Sequence, residues 1–385
     1  MAPALPAPAP GPIKCKAAVA WGPNEELVIE DIEVDAPHAG EVRIRMVAVS
    51  LCHTDISFLG MVQAQFPRIL GHEGAGIVES VGEGVKHLKV GDHVLPLSFP
   101  ECGECANCKS EFNNLCEKYV KNMKELQMLH PIDQKSRFSV SKAGETQQIF
   151  SFLTSIFSEY TVVSEDCCAK IHEDAPFEKA CIFACAIPTG FGAAWNTVKV
   201  EKGSTVAIVG LGTIGLAVAD ATRIAGASRI IGIDINSGKF DLAKRFGVTE
   251  CINPKDCQSP IQKVLQDLTN GGVDYFFECV GKVDLVEAAL ESTREGSGKT
   301  VVLGFDGSCR QLSFNPLLLF GRSIMSSVCG GYKGRSHVPG LVDKLVKKEL
   351  FVDNYITHTL PFKEINKAIA LLNSGTCLRC VMTMG

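Results

Sequence analysis

Residues 205–234 read TVAIVGLGTIGLAVADATRIAGASRIIGID, and this stretch decides the fold. The β-branched run Val206–Val209 meets Gly210, Gly212 and Gly215 in the order G-x-G-x-x-G. A helix-compatible run follows to Ala225, and Arg229–Ile233 forms a second apolar strand ending in Asp234. Strand, glycine turn, helix, strand and acid in that order predict the βαβ dinucleotide unit of a Rossmann fold. Gly210 serves the tight turn, Gly212 the approach of backbone to a pyrophosphate, and Gly215 the packing of helix on strand; the helix N-terminus faces the phosphates. Asp234 falls where a carboxylate accepts from adenosine ribose hydroxyls. A 2′-phosphate there would meet like charge, so NAD is expected rather than NADP.

Beyond Asp234 the rhythm continues. Lys239–Phe246, Pro260–Thr269 and Leu285–Thr293 read as helices, and Thr249–Ile252, Val273–Val280 and Thr300–Gly304 as strands. That alternation is the α/β pattern of a doubly wound parallel sheet. The apolar segment Leu317–Gly331, with glycines at its end, is a candidate sheet edge or subunit contact. Further on, Val338–Lys348 and Phe362–Gly375 read as helices, Tyr355–Leu360 and Leu378–Thr383 as strands. Before the dinucleotide unit, residues 14–50 alternate strand-like runs (Cys15–Ala20, Leu27–Val34, Glu41–Ser50) with Gly, Pro and Asn turns, the pattern of a barrel-like β domain.

Two domains fit into 385 residues. Charged residues make up 21% and the net charge is −5, with no basic tract, so nucleic acid is not an expected partner. No apolar run reaches the length of a membrane span. Residues 1–13, rich in Pro and Ala, read as a mobile extended tail without the features of a signal peptide, and the cytoplasm is the expected location. In that setting seventeen cysteines point to metal before disulfides.

The cysteines fall into patterns. Cys102, Cys105, Cys108 and Cys116 form C-x2-C-x2-C-x7-C. Four thiolates on one loop can wrap a single tetrahedral zinc, and full occupancy by sulfur makes such a site structural. Cys52 and His72 lie on separate segments, each near an acid, Asp55 and Glu73. Cys185 lies where the first domain hands over to the second. Together Cys52, His72 and Cys185 would be a three-ligand zinc set with the fourth position open, the catalytic type.

In these motifs the chain resembles the zinc-dependent medium-chain alcohol dehydrogenases, above all the plant-type ones. The resemblance rests on Gly71-His72-Glu73 with Gly76 and Gly82, the four-Cys lobe, Cys185 before Thr189-Gly190, the Gly210/Gly212/Gly215 motif, and Leu378-Arg379. It implies a GroES-like catalytic barrel at 14–186 and 330–385, a Rossmann domain at 187–329, two zinc ions per chain, NAD, and a homodimer. It also implies Cys52, His72 and Cys185 as catalytic zinc ligands, Glu73 as an acid approaching that zinc, and Asp55 as the partner of His72. Thr54 is the expected proton acceptor, Asp234 and Lys239 contact the adenosine ribose, His53 and Arg379 the pyrophosphate, and Thr189 lies behind the nicotinamide.

Three positions depart from the family pattern: Ser57 where many members carry His, Ser98 where an aromatic is common, and Pro188 in the run after Cys185. They surround the substrate. The expected reaction is reversible oxidation of a primary or secondary alcohol. The alternative is a hydroxynitrile lyase, which resembles the same family and releases cyanide from an aliphatic cyanohydrin with no net redox change.

Overall fold

The structure is a computed structural model that describes residues 11–61, 64–124, 133–142, 144–305 and 310–385, without the side chains of 121–124. The expected N-terminal tail lies, as far as residue 10, outside the described residues. The chain divides into two units, Met1–Cys185 with Lys333–Gly385, and Ala186–Tyr332.

In the first unit the strands Ile13–Ala20, Val28–Val34, Phe138–Lys142, Glu145–Ser151 and Arg68–Ile69 close a small barrel. A seven-stranded sheet is built around Glu41–Ser50. That strand is almost wholly buried, which its Val, Ile, Met and Ala residues allow. On one side it pairs antiparallel with Glu73–Val81, Ser50 opposite Glu73. On the other it pairs first with Tyr160–Ser164 and then with Arg379–Thr383. The end of Glu41–Ser50 and the starts of Glu73–Val81 and Arg379–Thr383 are therefore brought together at one end of the sheet's central strands. One apolar core, from Ala17 and Val19 through Ile44, Phe157 and Cys380, fills the unit.

The second unit is a six-stranded parallel sheet. Its order is Glu250–Ile252, Arg229–Ile233, Thr205–Val209, Tyr275–Glu278, Lys299–Val302, Ser323–Ser326. The strand order reverses between Thr205–Val209 and Tyr275–Glu278, the switch point at which doubly wound sheets bind nucleotides. Helices or helical turns lie between successive strands. The central strands Thr205–Val209, Arg229–Ile233 and Tyr275–Glu278 are buried on both faces, as their continuous apolar runs require, while the two outermost strands are only partly buried. The helix Thr213–Ala225 is buried from Leu216 to Thr222 and stops at Gly226, which adopts φ 86° in the left-handed region that ends helices.

The expected α/β architecture of barrel plus parallel sheet is present, with local shifts. The helix expected at Val338–Lys348 runs instead from Gly334 to Val346, so Pro339 lies inside it. Its first turn is held by a partner distant in sequence: the buried carboxylate of Glu101 accepts from both the N–H and the hydroxyl of Ser336, at 2.9 and 2.8 Å. A local pattern cannot reveal such a cap. The segment Phe362–Gly375 splits into a tight turn, Phe362–Glu364, and the helix Ile365–Asn373. Among the described residues no helix is long and apolar enough to cross a membrane.

Candidate metal centres and dinucleotide cradle

Cys52 immediately follows the segment that leaves Glu41–Ser50, and it caps the short helix His53–Leu59. Asp55, in the first turn of that helix, is buried and holds three groups together. Its carboxylate accepts from Cys52 N (3.1 Å) and Gly71 N (3.2 Å) and meets His72 Nδ1 at 2.8 Å. Fixing Nδ1 turns Nε2 the other way, and that buried nitrogen has no hydrogen-bond partner among the described residues. The donor atoms of Cys52, His72, Glu73 and Cys185 all lie within 4.8 Å of one another. An orphaned imidazole nitrogen facing two thiols is the donor set of a Cys2His zinc site, so these residues fit the metal.

Behind the cluster stands Arg379, 3% exposed, at the start of its strand. It donates from Nε and Nη2 to the two carboxylate oxygens of Glu73, both at 2.8 Å, and its Nη2 lies 3.4 Å from Cys52 Sγ. Such a bidentate pair orients both partners. Burial pushes the Glu73 carboxyl up to about 7 even though Arg379 pulls it down. The Cys52 thiol is held well below its ordinary value, first by its hydrogen bond with Cys185 and then, against burial, by Arg379 and His72. For His72, burial works against the charged ring, but Asp55 and Cys52 outweigh it and raise the imidazole. Cys52 thus inclines to the thiolate form that binds metal.

Thr54 Oγ1 is 3.7 Å from Cys52 Sγ, and His53 opens the same helix, exposed. Arg379, expected at cofactor phosphates, is placed by the structure against Glu73 and Cys52. Ser98 is buried and its hydroxyl has no partner among the described residues, whereas Ser57 is exposed.

Cys102, Cys105, Cys108 and Cys116 form the second cluster, again with sulfurs within 4.8 Å of one another. Cys102 Sγ accepts from the N–H groups of Glu104 and Cys105, and Cys105 Sγ from Cys108 N at 3.3 Å. These are the knuckles that close spacing permits. Burial pushes the Cys116 thiol up; backbone N–H groups overcome burial at Cys105 and bring it to about 7. Tyr119 packs beneath, with its hydroxyl on Ser164 (2.9 Å) and Asp166 (2.8 Å).

In the second unit the three motif glycines differ in what they answer to. Gly210 has φ 91°, and a Cβ on Gly215 would collide with Gly210 O. Both are required by the protein's own backbone. Gly212 is not: its φ is −90°, and a Cβ there would meet nothing within 4 Å. The empty space over Gly212, at the cap of the helix Thr213–Ala225, is a cradle for a ligand's phosphates. Asp234 closes the loop, accepting from Leu211 N (2.9 Å) and Lys239 Nζ (3.0 Å) through Oδ2 and from Asn236 N through Oδ1. Thr189 lies on the helix Ala186–Gly192, half-buried. The residues fit a dinucleotide.

The chain's relatives agree with this chemistry. A family model for the alcohol dehydrogenase GroES-like domain matches residues 38–173, and one for zinc-binding dehydrogenases matches 213–347. The chain is 55% identical to a class-3 alcohol dehydrogenase of Pisum sativum, over 97% of its own length and 98% of the relative's. It belongs to the zinc-dependent alcohol dehydrogenases. A class-3 alcohol dehydrogenase of Zea mays is 52% identical over 97% of each chain. Among solved structures, an alcohol dehydrogenase zinc-binding domain protein from Burkholderia ambifaria superposes with a TM-score of 0.87 at 31% identity, covering 97% of this chain and all of that one. As a member of this family the protein is a zinc-dependent alcohol oxidoreductase, and its substrates are small molecules of the alcohol and carbonyl class.

Two features of the sites were not read from sequence. One is the pairing of Arg379 with Glu73, for which the only signal was a lone arginine in a closing apolar strand. The other is Glu278, fully buried at the end of its strand, whose Oε1 accepts from Val280 N and Gly281 N at 2.9 and 2.8 Å. Burial raises its pKa despite those donors. Its place before Cys279-Val280-Gly281 looked like an ordinary strand end.

Proposed function

We propose that the protein interconverts primary or secondary alcohols and their aldehydes or ketones, with NAD as the hydride carrier. The observation that carries this is the convergence of Cys52, His72 and Cys185, with His72 Nε2 buried and unpaired beside the thiols. When bound, zinc supplies Lewis-acid polarisation of the alcohol oxygen and NAD supplies the hydride acceptor.

The chain's own residues do the rest. Cys52, His72 and Cys185 hold the metal, Asp55 fixes the ring of His72, and Arg379 holds Glu73 close to the three donors. Thr54 takes the hydroxyl proton at Oγ1. Gly210, Gly212 and Gly215 with the helix that follows receive the pyrophosphate, while Asp234 and Lys239 receive the adenosine ribose. The negative charge of Asp234 favours NAD over NADP. Thr189 stands behind the nicotinamide, and His53 and Arg379 contact the pyrophosphate, Arg379 while bonded to Glu73. Cys102, Cys105, Cys108 and Cys116 hold a structural zinc. The functional division is a GroES-like catalytic domain at 14–186 and 330–385 and a cofactor domain at 187–329.

The protein acts in the cytoplasm as a homodimer. Support for the dimer comes from the terminal strand of the parallel sheet, Ser323–Ser326, and from Leu317 and Phe320 beside it, which are exposed. The test of the reaction is initial-rate turnover of NAD and of NADP with a panel of short, allylic and aromatic alcohols, alongside cyanide release from acetone cyanohydrin. NADH formation that stops when zinc is chelated is expected. Cyanide release without NADH would establish the lyase instead.

A further inference from the structure

Beside the segment that leads into His72 lies a stretch of strained backbone, residues 152–157, buried except for Leu153. Leu153 and Ser155 adopt φ of 52° and 47°, a region that costs about 1–2 kcal/mol for a residue with a side chain. Phe152, Thr154, Ser155, Ile156 and Phe157 are all buried. Strain of this kind persists only where the surroundings over-determine it.

The stretch grips the chain immediately before the imidazole. Ser155 Oγ donates to Ile69 O at 3.0 Å, and Phe157 N to Leu70 O at 3.0 Å. Thr154 Oγ1 and Ile156 N both donate to Gly71 O, at 3.2 and 3.3 Å. Three successive carbonyls are thus fixed from one side. From the other side Asp55 takes Gly71 N and His72 Nδ1. Gly71 itself has φ 101°, and a Cβ there would lie 2.7 Å from Phe157 Cδ1. The gripping residues are braced in turn: Thr161 Oγ1 donates to Thr154 O at 2.6 Å, and Phe152 N to Ser155 Oγ at 2.8 Å.

We infer that Thr154 and Ser155 are positioning residues for the metal centre, acting through the carbonyls of Gly71 and Ile69 to set where His72 Nε2 points. A turn with a purely local role would keep its hydroxyls to its own carbonyls. Here Thr154 Oγ1 goes to Gly71 O, one residue before a ligand. Ser155 Oγ is shorter to Ile69 O (3.0 Å), three residues before it, than to Phe152 O in its own turn (3.3 Å), and the backbone is held in a costly conformation to deliver them. The inference rests on His72 being a zinc ligand.

The full-length, zinc-loaded protein and its Thr154→Val, Thr154→Ser, Ser155→Ala and Ser292→Ala variants provide the test. Ser292 is a control, since its equally buried hydroxyl bonds Ala288 O in the other unit. Two quantities are read: metal release to a chromogenic chelator, and the ligand-field absorption of the cobalt(II)-substituted protein. Thr154→Val is expected to bind one of its two metals about tenfold more weakly, as loss of a residue supporting a metal ligand does, and to alter the cobalt spectrum. Thr154→Ser, which keeps the hydroxyl, restores both. Ser292→Ala melts lower but keeps the parent's release and spectrum. The inference is overturned if Thr154→Val merely melts lower, with metal release and spectrum unchanged. Should Thr154→Val fail to fold, Ser155→Ala decides by the same two readouts. A parent that binds only one metal removes the His72 reading and the inference with it; a parent with two metals and unaltered variants sinks the inference alone.

Discussion

In the lobe at 102–116 all four sulfurs come from one continuous loop, and the groups that orient them are largely the loop's own N–H donors. The Cys52–His72–Cys185 cluster draws its donors from three segments distant in sequence. Its orienting groups are scattered likewise: Asp55 from the helix that Cys52 caps, Arg379 from the closing strand, Thr154 from the strained stretch. Both hold cysteines within a few ångströms of one another. The lobe is self-organised, and its four sulfurs leave no position open, the closed pattern of structural zinc sites. The second cluster is organised by the fold, includes an imidazole and a carboxylate, and lies at a convergence of strand ends. A site that must keep a position open for substrate has its geometry imposed from outside. One that only closes a loop can impose it itself.

Mutations should separate the two. The largest effect is expected from Cys185→Ala. It leaves one metal per chain, and loss of several kcal/mol of Lewis-acid stabilisation lowers kcat by about three orders of magnitude. Metal analysis beside steady-state kinetics checks it; the melting temperature should change little. Cys116→Ser gives the reverse pattern, because structural zinc contributes folding energy directly. The melting temperature falls by roughly several degrees while the remaining folded protein keeps its turnover per cluster metal.

Smaller changes sharpen the contrast. Asp55→Asn leaves the lobe untouched and weakens metal binding at the other cluster about 10- to 100-fold, measured by competition with a chelator. The smallest effect belongs to Leu153→Gly. Relief of the left-handed strain there is offset by the added freedom of the unfolded chain, so denaturant unfolding should report a gain of about 1 kcal/mol or less. A large loss of stability would mean that the exposed Leu153 side chain makes contacts outweighing its strain.

The same contrast explains what the sequence revealed. The lobe was legible because its information is local: C-x2-C-x2-C-x7-C is complete within its own loop. The dinucleotide unit was legible for the same reason, as Gly210, Gly212, Gly215 and Asp234 act within one βαβ turn. Cys52, His72 and Cys185 could be assembled only through the resemblance to a family and the order of motifs, since no spacing links residues so far apart. What supports them was mostly hidden. Asp55 is foreseen as the partner of His72, but Arg379 is expected at phosphate, and nothing in the local sequence singles out Thr154 and Ser155. Their roles depend on which strands lie side by side, and hydroxyls and single charges carry no periodic signal. The start of the helix at Gly334 was missed because its cap, Glu101, is also a tertiary partner.

The most direct measurement follows NADH formation from an alcohol and metal content on the same samples while a chelator withdraws zinc, for the parent and for Cys185→Ala. The parent should begin with two metals and lose activity in step with the one that Cys185→Ala lacks; the variant, with its lobe metal intact, should form almost no NADH. Turnover that survives removal of that metal, or a parent holding both metals and NAD that forms no NADH from any alcohol, would contradict the assignment of the Cys52–His72–Cys185 cluster.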